Sequence, residues 1–359
     1  MFYYIDFASQ NQPQNSRISG RNSRKGGFRQ AKAMVINMKI LHDIHTHNVF
    51  SACCEDKTAS TAAYLEKEAA LGMRIFGLSN HLWDERVPGA SGWYKNQPIV
   101  KAEEAKHAFS LAAPGMQVLF GCETEYYACR DLLGMSAEGA SHFDYLLIPH
   151  SHLHMRNEVM SDSPEILEAR EKVRADLAQK LPYLPEKNIN AMAASLREAD
   201  LVRIFPELEI DVIRYTNEGN LNTFRALLAN RELQSLCGKL PISIAHSFSP
   251  CGVPHAKKNE YLAHIRDEDA AECYRAAAKL GLYIELNVGA ITEVNFDLDN
   301  NRLIELYRIA KAEGCQFTFG TDSHSVEGLS LIAHGDRIAD ALALTPADIA
   351  EFVRGGVEA

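Results

Sequence analysis

Met38-Lys-Ile-Leu-His-Asp-Ile-His-Thr-His47 is a short apolar strand pattern that closes on two histidines one residue apart. Side chains two apart on a strand share a face, so His45 and His47 can offer two imidazoles to one metal ion at the strand's C-terminal end. Two nearby histidines also arise on surfaces by chance. The pair gains weight because later apolar runs finish in the same way, on His, Glu or Asp.

Outward from that stretch, strands are expected at 39–45, 74–79, 117–122, 143–148, 241–245, 283–287 and 316–320. Amphipathic helices are expected between them at 61–71, 99–111, 164–181, 221–236, 267–280 and 302–313, with Gly72, Gly281 and Gly314 where helices should end. Alternation of this kind implies an α/β fold with a parallel sheet, closed as a barrel or open and doubly wound. An open sheet gathers its ligands at one switch point, whereas a barrel assembles its site from many strand ends. Nearly every strand here ends in a ligand-type side chain, which favours the barrel.

Residues 162–239 exceed what one crossover needs and carry Pro182, Pro185 and Pro206, so an inserted helical segment or lid is expected there. Residues 326–343 and 346–353 read as closing helices. Residues 1–37 are rich in Gln, Asn, Ser, Gly and Arg, as in Ser16-Arg-Ile-Ser-Gly-Arg-Asn-Ser-Arg-Lys-Gly-Gly27, and read as a disordered basic leader. The folded domain is therefore expected over 38–359.

The chain has 359 residues, 46% of them hydrophobic, enough for one barrel-sized domain or two ordinary ones. No apolar run approaches the roughly 20 residues that span a bilayer. The N-terminus lacks the order of a signal peptide, so a cytoplasmic location away from membranes is expected. The eight cysteines form no CxxC pair and read as reduced thiols. A net charge of -10 argues against nucleic acid as a partner. It is compatible with a small phosphorylated substrate whose charge metal ions would neutralise.

The later strand ends supply the rest of the chemistry. Gly77-Leu-Ser-Asn-His81 places a histidine just past the second strand, and Phe120-Gly-Cys-Glu123-Thr-Glu125 brings a carboxylate whose two oxygens could bridge two ions, with Glu125 as the alternative. Pro149-His150-Ser-His152-Leu-His154 offers three histidines in alternation, and Ala245-His246 one more. Glu285 and Asn287 suit hydrogen bonding that orients ligands. Gly320-Thr-Asp322-Ser-His324 repeats the spacing of the opening pair. Cys53 is either a soft metal ligand or a small buried side chain. Asp322 or His324 could move a proton, and Arg156, Arg197 and Arg214 are candidates for gripping a phosphate.

In this order the motifs resemble those of the PHP (polymerase and histidinol phosphatase) superfamily, over about Met38 to Ser330. The resemblance implies a distorted seven-stranded (β/α)7 barrel, TIM-like, with two or three divalent ions (zinc, manganese or iron) and phosphoester hydrolysis. It also implies that His45, His47, Glu123 and Asp322 hold one ion, that Glu123 bridges to a second on His152 and His246, and that His81 and His324 serve a third. Cys53 stands where trinuclear members place another histidine, and the choice between His150 and His152 stays open. The substrate expected is a small phosphomonoester, histidinol phosphate being the family's best-known one. Alternatives are a phosphodiesterase or 3′–5′ exonuclease of the same superfamily, an amidohydrolase-type C–N hydrolase, for which no strand-closing lysine is found, and a degenerate binding barrel. Specificity would reside in loops such as 82–97, whose side chains carry no legible code.

Overall fold

The computed structural model describes residues 38–249 and 253–358, so the leader expected over 1–37 lies outside the described residues. Seven principal strands run parallel: β1 (His42–Asp43), β2 (Ile75–Leu78), β3 (Gln117–Thr124), β4 (Tyr145–Pro149), β5 (Ile242–Ala245), β6 (Tyr283–Asn287) and β7 (Phe317–Gly320). They neighbour one another in chain order. β7 returns to β1 through irregular bonds rather than a full ladder. Ile44 N–H donates to the Phe319 carbonyl at 3.1 Å, Asp322 N–H to His45 at 2.7 Å, and His47 N–H to Ser323 at 2.8 Å. The sheet is thus a nearly closed, TIM-like α/β barrel, as the strand ends implied.

Every strand expected from the sequence is present, and the first is divided. Lys39–Ile40 pairs antiparallel with Val357–Glu358, leaving only His42–Asp43 in the barrel. This pairing joins the two ends of the described chain, and no local pattern could announce it. The C-terminal turn also stops the barrel's lower end, where Phe352 packs on Tyr145 and Tyr283 with ring centroids 5.8 and 5.6 Å away. Above it the Tyr145 hydroxyl crosses the interior to donate to the Ile44 carbonyl at 2.6 Å. Only glycine at 121 leaves room for that ring, since a Cβ there would lie 2.2 Å from it.

Helix α1 (Thr61–Ala70) starts where Ser60 Oγ accepts from Ala63 N–H at 3.2 Å, and the chain leaves it through Gly72 at φ +78. Between β4 and β5 stand α2 (Pro164–Lys180), α3 (Glu186–Ser195), α4 (Glu198–Ile204), α5 (Glu209–Ala229) and α6 (Arg231–Leu236). This helical segment has its own small core, including Ile166, Val173, Leu201 and Ile213. The single helix expected at 221–236 breaks at Asn230. Its side chain accepts from Leu233 N–H at 2.9 Å and donates to Asp131 at 2.9 Å, the capping role in which asparagine outcompetes helix continuation. The expected helix at 99–111 is one α turn (Ile99–Glu103) running into a 3-10 stretch (Glu104–Leu111), and the closing helices are likewise largely 3-10 turns. Among the described residues no helix is long and apolar enough to cross a membrane.

Candidate metal centre

Beyond β1 the chain carries His45 and His47 into the barrel mouth, both fully buried. Their Nε2 atoms lie 3.0 Å apart. Glu123 Oε2 is 3.3 Å from each, and Asp322 Oδ1 is 3.4 Å from His45 and 3.2 Å from His47. Four donors at about 2.0–2.1 Å from a tetrahedral ion stand about 3.3–3.4 Å from one another. The separations of His45 and His47 from each other and from each carboxylate, 3.0–3.4 Å, are close to that spacing, and His45, His47 and Asp322 form one group that could hold an ion.

His45 is aimed by a partner behind it, whereas His47 Nδ1 is buried without one. His45 Nδ1 is 2.6 Å from Glu285 Oε1, and since a carboxylate only accepts, that nitrogen holds the proton and in the neutral ring Nε2 presents its lone pair. The other oxygen, Glu285 Oε2, accepts His246 N–H at 2.7 Å. Gly320 makes this arrangement possible, because a Cβ there would lie 2.3 Å from His45 Cβ and 2.5 Å from Glu285 Oε1. Asp43, two residues before His45 and on its face, accepts from Thr321 Oγ1 at 2.6 Å and from Thr321 N–H at 3.0 Å, tying β1 to the turn that carries Asp322. Asp322 and His246 both adopt left-handed backbone, φ +57 and +31, of the kind concentrated at functional turns.

Glu123 reaches a second group through its other oxygen. Oε1 lies 3.0 Å from His246 Nε2 and 3.8 Å from His152 Nε2. Behind them, His246 Nδ1 is 2.8 Å from Ser151 Oγ, and His152 Nδ1 donates to Glu125 Oε2 at 2.7 Å. Glu125, the alternative bridging carboxylate, is thus an orienting partner and not a donor to the cluster. Tyr94 contributes its hydroxyl to the same oxygen at 3.2 Å. Neither Ser151 nor Tyr94 carried any signal in the sequence.

A third group comprises His47, Cys53, His81 and His324, with donor atoms all within 4.8 Å of one another. β2 is interrupted at Ser79 and Asn80, whose carbonyls share Glu123 N–H, and the short strand His81–Leu82 then resumes beside β3 with His81 in register with Glu123. His324 Nδ1 donates to the Asp322 carbonyl at 2.8 Å, which leaves its Nε2 unprotonated in the neutral ring. The His47 ring stands between those of His81 and His324, at 4.5 and 4.6 Å. The cluster is open on this side, where Asp322 is 29% and His324 39% exposed.

One candidate ligand is corrected. His150 Nδ1 donates to the Asn220 carbonyl at 3.2 Å, Nε2 accepts Phe248 N–H at 3.2 Å, and the ring stacks on Phe224 at 4.1 Å. With both nitrogens engaged outside the cluster, His150 is a core residue, and His152 is the histidine of that pair that approaches Glu123. Arg156 is likewise tied elsewhere, to Glu198 at 2.9 Å and the Leu196 carbonyl at 2.7 Å. Arg214 pairs with Asp211 at 2.8 Å. Arg197 has no carboxylate partner for its side chain among the described residues.

The charge balance of the cluster suits a cation. Burial opposes ionisation of Glu123, but His81 and His45 outweigh it and hold that carboxyl well below its usual range. Burial likewise opposes charge on His45, yet Glu285, Asp322 and Glu123 push it well above an ordinary histidine. His81 has more imidazole neighbours, and burial keeps it well below. Burial raises the Cys53 thiol, so its proton leaves when a metal ion takes its place. Ionised carboxylates beside imidazoles that compete for protons are groups a divalent ion would satisfy together.

No family model matches the chain, and no curated protein matches it. Among solved structures, the crystal structure of histidinol phosphate phosphatase from Lactococcus lactis subsp. lactis Il1403, complexed with zinc, L-histidinol and phosphate, is similar over 85% of this chain and 94% of that one, with a TM-score of 0.43 and 15% identity. A D-hydantoinase structure is similar over 71% of this chain and 48% of that one, with a TM-score of 0.31 and 11% identity. Both are distant resemblances, and neither assigns a family.

Proposed function

We propose that this protein is a metal-dependent phosphoesterase acting on a small phosphomonoester, as histidinol phosphatases do. The observation that carries this reading is Glu123, which turns one oxygen to His45 and His47 and the other to His246 and His152. A carboxylate placed so can join two ions, and the order of the surrounding motifs supports a PHP-like hydrolase. The carboxylates of the cluster pair with imidazoles, and no lysine takes part among the described residues, which disfavours the amidohydrolase-type alternative.

Divalent ions, when bound, supply a water acidified toward neutrality and counter-charge for the phosphoryl oxygens. The remaining work falls to the chain. Glu285, Ser151 and Glu125 hold His45, His246 and His152 in the tautomer that presents Nε2 inward. Asp322, on the open side and with Oδ1 turned to His45 and His47, has its second oxygen placed to take a proton from the attacking water and return it to the leaving alcohol oxygen. Arg197 is the arginine left to hold a distal phosphate oxygen, and the helical segment that carries it is proposed to frame the substrate.

Metal analysis of the purified protein, combined with a panel of phosphomonoesters with and without chelator, tests the reading. Chelator-sensitive release of phosphate is expected, together with loss of turnover but not of fold in His45→Ala and Asp322→Ala. A metal-replete protein inactive on the whole panel would refute it.

A further inference from the structure

We propose that Cys53 is a metal ligand: its thiolate, with His81 and His324, holds a third ion and makes that position select zinc, or cobalt(II) in its stead, over manganese and magnesium. This rests on the metal-centre reading above and extends it to a residue where the resembled family has a histidine. An imidazole nitrogen serves one ion: His47 Nε2 already faces Glu123 and Asp322, and His81 turns Nδ1 to Glu123 Oε2 at 3.2 Å, so that Nε2 is the His81 atom left for the third position. Three protein donors and an open side remain, the composition of a catalytic rather than a structural zinc site.

The loop that carries Cys53 is built onto the two histidines that share its position. Ser51 Oγ accepts the backbone N–H of His81 at 3.3 Å, and Cys54 Sγ donates to the backbone carbonyl of His324 at 3.1 Å. Cys53 lies between these two anchors. Ala52 N–H donates to Gln97 Oε1 at 2.8 Å, and Asn48 and Asn80 exchange bonds of 2.8 and 2.9 Å, so the loop is braced from two other sides. Ser51 Oγ, 3.1 Å from Cys53 Sγ, supplies the hydrogen-bond partner a bound thiolate keeps. The same geometry separates the two adjacent cysteines, because Cys54 is turned to a carbonyl and Cys53 to the imidazoles. On binding, the thiol proton passes to solvent and a sulfur–metal bond forms. Thiolate sulfur discriminates strongly in favour of zinc, cobalt and iron, whereas the first position, with two carboxylates and no sulfur, admits manganese.

Cobalt(II) added to the metal-stripped full-length protein reads this out without any turnover assay. The wild type should show visible ligand-field bands and, with the last equivalent bound, a near-ultraviolet sulfur-to-cobalt charge-transfer band. Cys53→Ser should keep the visible bands, lose the near-ultraviolet band, and bind its weakest zinc at least about tenfold less tightly. Cys54→Ser should keep both. Mapping of iodoacetamide adducts on the wild type adds a test that needs no variant: zinc should protect Cys53 while the exposed Cys129 stays reactive. Visible bands with no near-ultraviolet band in the wild type, persistence of that band in Cys53→Ser, or alkylation of Cys53 at saturating zinc would each overturn the proposal and leave the phosphoesterase reading standing. The charge-transfer band in a protein that hydrolyses no phosphoester would do the reverse.

Discussion

Glu285→Gln isolates how the barrel aims its metal ligands. All three neighbours of the Glu285 carboxylate are donors: His45 Nδ1 at 2.6 Å, His246 N–H at 2.7 Å, and Asn287 Nδ2 at 3.4 and 3.5 Å. A glutamine has one accepting oxygen and must turn its amide NH2 toward one of the first two. If it faces His45, the imidazole can accept only by moving its proton to Nε2, which removes that lone pair from the cluster. If it faces His246, a buried backbone donor loses its partner, at about 1–3 kcal/mol of stability. Loss of such an outer partner lowers metal affinity by about 10- to 100-fold, or roughly 1.4–2.8 kcal/mol at about 1.4 kcal/mol per tenfold. Chelator competition on wild type and variant measures the first quantity, and thermal unfolding of the metal-free proteins the second. An affinity within about twofold of wild type would show that Glu285 does not orient His45, and the assignment of the Nε2 lone pairs would fall with it.

Gly320→Ala should act on the same pair from behind: the new methyl must displace His45 or Glu285, at about 1–3 kcal/mol and with weakened metal binding. Gly72→Ala, in open space at φ +78, should cost about 1 kcal/mol and leave metal affinity alone, so equal effects on affinity would refute the steric argument. In the metal-free protein, burial lowers the His152 pKa but Glu125 more than offsets it, raising the pKa to about 9. A folded value above the ordinary one, about 6.5, means the pair stabilises fully below that pH and loses its contribution as pH climbs toward about 9. Thermal unfolding across that window should therefore fall more steeply in wild type than in Glu125→Gln, and parallel curves would remove the pair from consideration. Since the same proton must leave before His152 can hold a metal ion, zinc affinity should rise with pH over this window.

The candidate donors were legible because a strand's period of two and a change from apolar to ligand-type residues at its C-terminal end are both local patterns. His45, His47, His81, Glu123, His246, Asp322 and His324 all follow from that rule, and the fold follows from its sevenfold repetition. The rule fails where the ladder stops. β4 ends at Pro149, so the alternation of His150, His152 and His154 no longer reports a shared face. His150 goes instead to Phe224, Phe248 and the Asn220 carbonyl, contributed by α5 and the turn after β5. Nothing within ten residues of His150 encodes that choice. The same limit hides the bracing: Glu285 lies 240 positions from His45, and Glu125 lies 27 from His152. Metal ligands can be read one strand at a time because each must only arrive at the mouth. The atoms that set their tautomers come from neighbouring strands, and become visible only when the barrel fixes which strand ends are adjacent. Substitutions at Glu285 and Gly320 therefore test the closed barrel as directly as they test the metal centre, because in an open sheet with β1 apart from β6 and β7 neither could touch His45.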